Sequence, residues 1–155
     1  MPLEIERKFL VHTDKLGELS NGQEMRQGYV PTRDLTSVRI RTAGDRAWLT
    51  IKGKNRGASR LEFEYEIPLS DARHMLAELC DGEVIHKHRY LREYGGLTWE
   101  IDVFEGRNAG LIVAEVELEA EDQALALPPW VAEEVTADPR YYNVNLLSQP
   151  FSQWD

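Results

Sequence analysis

Cysteine is nearly absent from this chain, since Cys80 is the only one among 155 residues. A single cysteine excludes an intramolecular disulfide and a multi-cysteine zinc site, and it is typical of a reducing compartment, so we expect a cytoplasmic protein. Long hydrophobic runs are missing as well. None approaches the roughly 18 apolar residues that a membrane span needs, and the acidic N-terminus does not resemble a signal peptide. We therefore expect no membrane interaction.

Basic residues are also scarce relative to acidic ones. The chain has 18 lysines and arginines against 27 aspartates and glutamates, which gives a formal net charge of -9. Nucleic-acid binding requires a basic footprint. We therefore expect no nucleic-acid partner, although a net charge says nothing about how the charges are distributed.

Internal repeats, low-complexity tracts and linkers are absent too, and the length suits a single domain over residues 1–155. Strand-like segments dominate the chain. They cover residues 3–11, 24–30, 36–43, 46–53, 60–69, 83–94, 97–105 and 111–119. Turn signals stand at Asn21-Gly22, Gly44-Asp45 and Gly95-Gly96. Most connections are shorter than the dozen or so residues of a parallel crossover, so the sheet should be mainly antiparallel.

Three segments carry helical signals. Ser70-Asp71 is a candidate N-cap for a helix that would reach Cys80 and end at Asp81-Gly82. Residues 121–127 predict a short helix stopped by prolines, and Asp138-Pro139 predicts the start of a helix that runs to about residue 147. About eight antiparallel strands with a few helices predict an α+β fold: an eight-stranded antiparallel β-barrel, in which closure removes exposed edges.

Charged residues alternate with apolar ones along most of these strands. In EIERK, residues 4 to 8, Glu4, Glu6 and Lys8 share one face of the strand, while Ile5 and Arg7 share the other. The later strands repeat the pattern with Arg39/Arg41, Lys52, Glu62/Glu64/Glu66, Lys87/Arg89, Glu100/Asp102 and Glu115/Glu117/Glu119. For any single strand, the simplest interpretation is a solvated face with no functional consequence.

The signs of these charges are sorted by strand, and this favours a second interpretation. Arg39 and Arg41 share a purely basic face, whereas Glu115 and Glu117 share a purely acidic one. Solvated faces tend to mix signs, whereas a barrel with apolar faces outward would line its lumen with sorted charges. Unpaired charges in such a lumen would be costly unless ions or a polyanion compensated them. Metal-dependent phosphate chemistry would use both the acidic and the basic faces of such a lumen. Carboxylates would hold Mg²⁺ or Mn²⁺, and arginines and lysines would bind phosphate.

Two alternative sites are weaker. The segment GDRAWLTIKGKNRG lacks P-loop spacing, and no GxGxxG follows a strand, so phosphate would have to be bound by side chains. His86 and His88 flank Lys87, but alternation places them on the face opposite to Lys87 and Arg89. We interpret both histidines as structural or surface residues.

Several of these segments resemble the CYTH superfamily, also called the triphosphate tunnel metalloenzymes. The resemblance begins with EIERKFLV, which matches the ExExK signature, and extends in order along nearly the whole chain. It continues through RQGY (26–29), RIR (39–41), LTIK (49–52), RLEFEYEI (60–67), HKHRY (86–90), EIDVFEG (100–106), AEVELE (114–119) and EVTADPRYYN (134–143). The resemblance implies a charged eight-stranded tunnel that hydrolyses a triphosphate with Mg²⁺ or Mn²⁺ and releases orthophosphate.

The resemblance also implies a role for each charged residue. The metal-binding wall would consist of Glu4, Glu6, Asp102, Glu115 and Glu117. The triphosphate would be held by Arg39, Arg41, Lys52, Lys87 and Arg89. Lys8 and Tyr29 would form a catalytic pair, in which Lys8 either stabilises charge on the leaving group or assists Tyr29 in proton transfer. Glu62 and Glu64 would orient the basic residues, and direct metal contact by them stays open.

The fold leaves several substrates open. The short chain and its similarity to small bacterial members favour inorganic tripolyphosphate. A class IV adenylate cyclase and a thiamine or nucleoside triphosphatase are the alternatives, and a cyclase would release pyrophosphate instead of orthophosphate. A non-catalytic polyphosphate-binding module is a further alternative, but it would not need the metal-binding carboxylates. We expect a small-molecule triphosphate as the partner. The sequence does not indicate an oligomeric state.

Overall fold

Nine antiparallel strands build the fold of the described part of the chain. The computed structural model describes residues 3–54, 56, 58–80 and 84–154. The strands are β1 (Leu3–Val11), β2 (Gln23–Val30), β3 (Ser37–Ala43), β4 (Arg46–Lys52), β5 (Ser59–Ile67), β6 (Ile85–Tyr94), β7 (Leu97–Phe104), β8 (Ile112–Glu117) and β9 (Val131–Glu134). Their order in the sheet is β5-β4-β3-β2-β6-β7-β8-β1-β9.

The sheet closes on itself through β1. One edge of β1 pairs with β8, and the other edge pairs with β5 over Leu3–Ile5, so eight strands form a barrel. The short strand β9 occupies the remainder of this second edge, beside Phe9 and Val11. The predicted α+β fold with an eight-stranded antiparallel barrel is therefore confirmed, and β9 is an additional strand that the sequence did not predict.

The predicted turns lie where the strands reverse. Gly44 and Gly95 both adopt positive φ angles, of 63° and 62°, in the β3–β4 and β6–β7 hairpins. Asn21 also has a positive φ, of 62°, just before β2. Such left-handed conformations are easiest for glycine and asparagine.

The helices differ more from the prediction. They are α1 (Thr13–Leu16), α2 (Leu69–Glu78) and α3 (Asn145–Ser148), with short 3-10 turns at Gly106–Asn108, Pro139–Tyr141 and Phe151–Gln153. Helix α2 begins after Pro68 and not at the predicted Ser70-Asp71 cap, and its predicted end at Asp81-Gly82 lies outside the described residues. No helix among the residues that the structure describes is long and apolar enough to cross a membrane.

Two of the predicted helices are wrong in whole or in part. Residues 121–127 form a turn followed by irregular chain, in which Leu125 packs against the barrel. A helix of seven residues is only marginally stable by itself, so the packing of Leu125 on the barrel decides the conformation of this segment. Asp138 does cap a turn by accepting a hydrogen bond from the Arg140 backbone. Tyr142, however, is extended, with φ −70° and ψ 129°, so the predicted helix to residue 147 is broken into two short pieces.

The apolar faces of the strands point outward and are only partly covered. Helix α2 packs on β3 and β4 around Ile40, Ala47 and Ala72. A second outer core lies over β1, β7 and β8. It contains Ile5, Phe9, Leu16, Trp99, Ile101, Ala114, Val116, Leu118 and Trp130. The outer face of β5 has little cover, since Phe63 and Tyr65 are 40% and 58% exposed.

The C-terminal segment from Val135 onward crosses one end of the barrel. Its buried residues Val135, Tyr141 and Leu146 pack with the ends of β6, β7 and β8 in an apolar cluster. Ile85 and Val113 from this cluster share the strand faces of Lys87 and Glu115, so the cluster fills part of the lumen. The rest of the lumen is polar.

Candidate active site

The polar part of the lumen is a cavity of about 810 Å³. Nine of the predicted site residues line it: Glu4, Glu6, Lys8, Tyr29, Arg39, Lys52, Lys87, Arg89 and Glu115. The other five do not line the cavity but lie beside residues that do: Arg41, Glu62, Glu64, Asp102 and Glu117. Alternation along the strands therefore brings all the predicted positions to one lumen.

The basic wall begins with Arg39 and Arg41 on β3. Glu64 on β5 lies 3.3 Å from Arg39 and 3.7 Å from Arg41, and it accepts a 2.7 Å hydrogen bond from Thr50. This carboxylate accepts a hydrogen bond from Arg39 and forms an ion pair with Arg41. The Nε atoms of both arginines are nevertheless buried and have no hydrogen-bond partner among the described residues. Buried donors of this kind are costly unless a ligand accepts from them.

Lys52 on β4 lies between two acidic side chains. Its ammonium is 2.9 Å from Glu4 and 3.5 Å from Glu62. Burial and Arg39 would lower the pKa of Lys52, but Glu6, Glu4 and Glu62 raise it above its ordinary value. These carboxylates therefore favour the protonated form of Lys52 at the point where the basic and acidic walls meet.

Asp102 pairs two cations at the most buried point of the lumen. It accepts hydrogen bonds from Lys87 Nζ at 2.7 Å and from Arg89 Nε and Nη2 at 2.7 and 2.9 Å. Burial alone would raise the pKa of Asp102, but the charges of Arg89 and Lys87 hold it well below its usual range. Burial lowers the pKa of Lys87 to about 8 even so. Metal ligation by Asp102 would have to displace one of these cations, and it stays a prediction.

The acidic wall places like charges side by side. Glu6 is directly opposite Glu117 across β1 and β8, and Glu100 is opposite Glu115 across β7 and β8. Burial, followed by the charges of Glu115 and Glu4, raises the pKa of Glu6 well above its ordinary value. Like charges in such positions are destabilising. A bound cation would relieve this repulsion.

The acidic wall suits a hard divalent cation. Its donors are all carboxylate oxygens, which Mg²⁺ and Mn²⁺ prefer. Among the described residues, no three lumen carboxylates bring their oxygens within 4.8 Å of one another. This spacing fits Mg²⁺, which commonly uses one or two carboxylates and completes its coordination with water and substrate phosphates.

Lys8 and Tyr29 both line the cavity. The Lys8 ammonium donates to the backbone carbonyl of Tyr141 at 3.1 Å and lies 3.8 Å from Glu115. The Tyr29 hydroxyl accepts a hydrogen bond from Gln27 at 3.1 Å, so its own proton is available to a ligand. Within the described chain, no hydrogen bond joins Lys8 directly to Tyr29.

Several residues of the site were missed from the sequence. Asn143 accepts hydrogen bonds from Gln27 at 2.9 Å and from Lys87 at 3.1 Å, and Tyr142 lines the cavity beside it. The break in the predicted C-terminal helix places both residues there. Gln27 and Thr50 share strand faces with predicted site residues, and this shared face was the signal that could have identified them.

Comparison with known proteins agrees with this geometry. A family model described as the CYTH domain matches residues 2–146. An inorganic triphosphatase of Acetivibrio thermocellus is 46% identical over 154 residues, which cover 99% of each protein. An inorganic triphosphatase of Nitrosomonas europaea is 42% identical over 144 residues, which cover 90% of this chain and 93% of that protein. The crystal structure of the inorganic triphosphatase NE1496 matches with a TM-score of 0.65 at 38% identity and covers 93% of each chain. The similarity in sequence and fold leads to one conclusion: this chain belongs to the CYTH domain family.

Proposed function

We propose that this protein is a divalent-metal-dependent triphosphatase that hydrolyses inorganic tripolyphosphate to orthophosphate and pyrophosphate. The observation that carries the proposal is a single lumen with a basic wall facing an acidic wall. Within the described chain, the Nε atoms of Arg39 and Arg41 are buried donors without partners, while Glu6 and Glu117 lie directly opposite each other across β1 and β8. A metal-bound triphosphate would satisfy both walls at once.

The basic wall would hold the phosphate chain. The unpaired Nε atoms of Arg39 and Arg41 would donate to phosphate oxygens, with Glu64 fixing their orientation. Arg binds such oxygens through its planar fork, and Lys acts as a point charge. Lys52 and Lys87 would add such charges at two further points of the cavity. Arg89 lines the cavity as well, so four of the five proposed cations line it directly, and Arg41 would have to move toward the cavity to contact the substrate.

The acidic wall would hold the metal ion. Triphosphatases of the CYTH family are metal-dependent in general, and we propose Mg²⁺ or Mn²⁺ for this chain because the donors are carboxylates. Glu4, Glu6, Glu115 and Glu117 would supply these donors, with Asp102 as the fifth predicted ligand. When bound, such an ion shields phosphate charge and lowers the pKa of water.

Lys8 and Tyr29 would act on the reacting phosphate. In the reaction, a water oxygen bonds to the terminal phosphorus, and the bond from that phosphorus to the bridging oxygen breaks. The diphosphate leaves with the electron pair, and the proton that the water loses passes to the diphosphate or to solvent. Lys8, fixed by the Tyr141 carbonyl, would stabilise the charge that develops on the leaving oxygen. Tyr29, whose proton is free, would donate to a phosphate oxygen and so position the substrate.

Mutating one member of each wall tests the proposal. Glu6→Gln and Arg39→Met should each lower kcat/KM for tripolyphosphate by at least about 100-fold, in line with the loss of a preorganised charge contact. The assay measures orthophosphate released in the presence of Mg²⁺ or Mn²⁺. Glu78→Gln and Arg73→Met on the exposed face of α2 are the matched controls and should keep full activity. Folded Glu6→Gln and Arg39→Met variants with full activity would disprove the proposed site.

Product identity separates the proposal from its alternatives. The protein is incubated with tripolyphosphate, ATP and thiamine triphosphate in turn. Orthophosphate from tripolyphosphate supports the proposal, whereas cyclic AMP with pyrophosphate would identify a cyclase. Metal-dependent binding without turnover of any of the three would identify a polyphosphate-binding module.

A further inference from the structure

A second cluster of ligand-type side chains lies on the outside of the barrel, away from the acidic wall. His86 and His88 are two residues apart on β6, so both imidazoles share the outer face while Lys87 between them points into the lumen. Glu24 on β2 is the cross-strand neighbour of His88. Glu105, just after β7, is fixed beside β6 because its backbone N–H donates to the His86 carbonyl at 3.0 Å.

The ligand atoms of His86, His88 and Glu105 lie close together, and Glu24 contacts His86 at their edge. A single carboxylate oxygen of Glu105, Oε2, lies 3.0 Å from His88 Nδ1 and 3.1 Å from His86 Nε2. Glu24 Oε2 lies 3.2 Å from the same His86 nitrogen. Among the described residues, His86, His88 and Glu105 form the only group of three or more histidine, cysteine or acidic side chains whose ligand atoms all lie within 4.8 Å of one another.

Hydrogen bonding within the cluster leaves His86 unsatisfied. Its Nε2 atom is shut off from solvent, yet it makes no hydrogen bond of good geometry with either nearby carboxylate oxygen. A neutral imidazole nitrogen that is not satisfied by a proton donor or acceptor is free to bind a metal ion. The side chains of His86 and His88 are 29% and 31% exposed, so the cluster lies at the protein surface, and a small movement of the carboxylates around His86 Nε2 would admit an ion.

We propose that His86, His88, Glu105 and Glu24 form a binding site for a zinc-type divalent ion. Two imidazole nitrogens and two carboxylate oxygens complete a four-coordinate shell, the arrangement that Zn²⁺ favours in structural sites. At ordinary zinc–ligand lengths, the ligand atoms of a tetrahedral site are about 3.3 Å apart. The observed separations of 3.0, 3.1 and 3.2 Å therefore need to widen by only a few tenths of an ångström. Glu24 is not within 4.8 Å of all three other ligand atoms, so its side chain must turn toward the site to complete the shell.

The proposed site differs in chemistry from the acidic wall of the lumen. Imidazole ligands suit zinc, copper and nickel, whereas carboxylates alone suit magnesium and manganese. An excess of Mg²⁺ will therefore saturate the lumen without competing at the histidines. Zinc in the outer site would join β2, β6 and the end of β7, and so stabilise the strand that carries Lys87 into the lumen.

The test is zinc titration of the metal-free full chain in saturating Mg²⁺, followed by calorimetry and by thermal unfolding. We expect one zinc ion per chain and a rise in Tm with zinc. His86→Gln and His88→Gln should each weaken zinc binding by at least about tenfold. Mutation of residues that only hydrogen-bond to a metal ligand already lowers metal affinity by about 10- to 100-fold. Far-ultraviolet circular dichroism without zinc verifies that both variants fold.

Two controls separate this site from other zinc binding. His74→Gln removes an exposed histidine on α2 and should leave zinc affinity unchanged. Glu6→Gln changes the lumen and should also leave zinc affinity unchanged, so the outcome does not depend on the proposed triphosphatase activity. Absence of stoichiometric binding by the wild type, or equal binding by wild type, His86→Gln and His88→Gln, would overturn the proposal and leave the cluster as a set of imidazole–carboxylate contacts.

Discussion

Replacing Asp102 with asparagine tests whether the charges of the lumen balance one another. The side chain keeps its size but loses the negative charge that faces Lys87 and Arg89. Lys87 and Asp102 are 1% and 0% exposed, so water cannot take over the lost interaction. Removing one member of a buried ion pair costs about 3–5 kcal/mol, because the remaining charge is left uncompensated.

Lys87 sets an upper limit to this cost. In the variant it can become neutral, and moving a lysine from its ordinary pKa of about 10.4 to a neutral state at pH 7 costs about 5 kcal/mol. The free energy needed to deprotonate Lys87 falls as the pH rises toward this ordinary pKa. The destabilisation caused by Asp102→Asn should therefore be smaller at pH 9 than at pH 7. A loss of about 3–5 kcal/mol in unfolding free energy corresponds to a Tm decrease of roughly 6–20 °C for a chain of this size.

Urea unfolding at pH 7 and pH 9 measures both effects. Glu100→Gln is the matched control, since Glu100 contacts the same Arg89 at 3.1 Å but is 39% exposed. The control should lose less than about 1 kcal/mol, as is usual for solvent-screened pairs. If Asp102→Asn loses no more than the control, or if its loss does not change with pH, the balance of buried charges has been misjudged.

Two further predictions concern the wall of the barrel. Gly28→Ala would place a methyl group 3.0 Å from Cys80 Sγ and Leu76 Cδ2. Because these two side chains must give way, urea unfolding should show a loss of about 1–3 kcal/mol. Gly53→Ala, whose methyl would meet Leu61 at an ordinary 3.5 Å, is the control. A loss as small as that of the control would mean that α2 is not tightly packed. Hydrogen bonds from Arg7 lower the pKa of Glu134, and because this carboxylate is 37% exposed, Glu134→Gln should cost at most about 1 kcal/mol at pH 7. This difference should disappear as the pH falls below about 4 and Glu134 takes up a proton, and a difference in unfolding free energy that persists in acid would contradict the assignment.

The barrel was predictable from the sequence because its signals are local. Alternation along each strand and the turns at Gly44 and Gly95 report on neighbouring residues, and together they specify which side chains share a face. The sorting of signs then indicated a charged lumen, and the structure places the predicted residues in or beside it. The particular roles of those residues rest on the family resemblance and stay predictions.

The remainder depends on contacts between residues that are far apart in the sequence. Leu125 packs on the barrel in irregular chain where local propensity predicted a helix. The extended backbone at Tyr142 brings Asn143 to Lys87, 56 positions earlier in the chain. Likewise, no sequence pattern around His86 and His88 predicts that Glu105 lies beside both histidines.

Strand β1 connects the chemistry of the lumen to the accuracy of folding. One of its faces carries Glu4, Glu6 and Lys8 into the cavity, and the other carries Ile5 and Phe9 into the outer core. Because side chains alternate, a slip of one residue against β8 would exchange the two faces completely. Misaligned molecules would expose their apolar residues to the lumen and bury their charges outside it, so they should aggregate or be degraded and not survive as weak enzymes. The enzymatic activity recovered after refolding should therefore be proportional to the fraction of molecules in which β1 has the correct register.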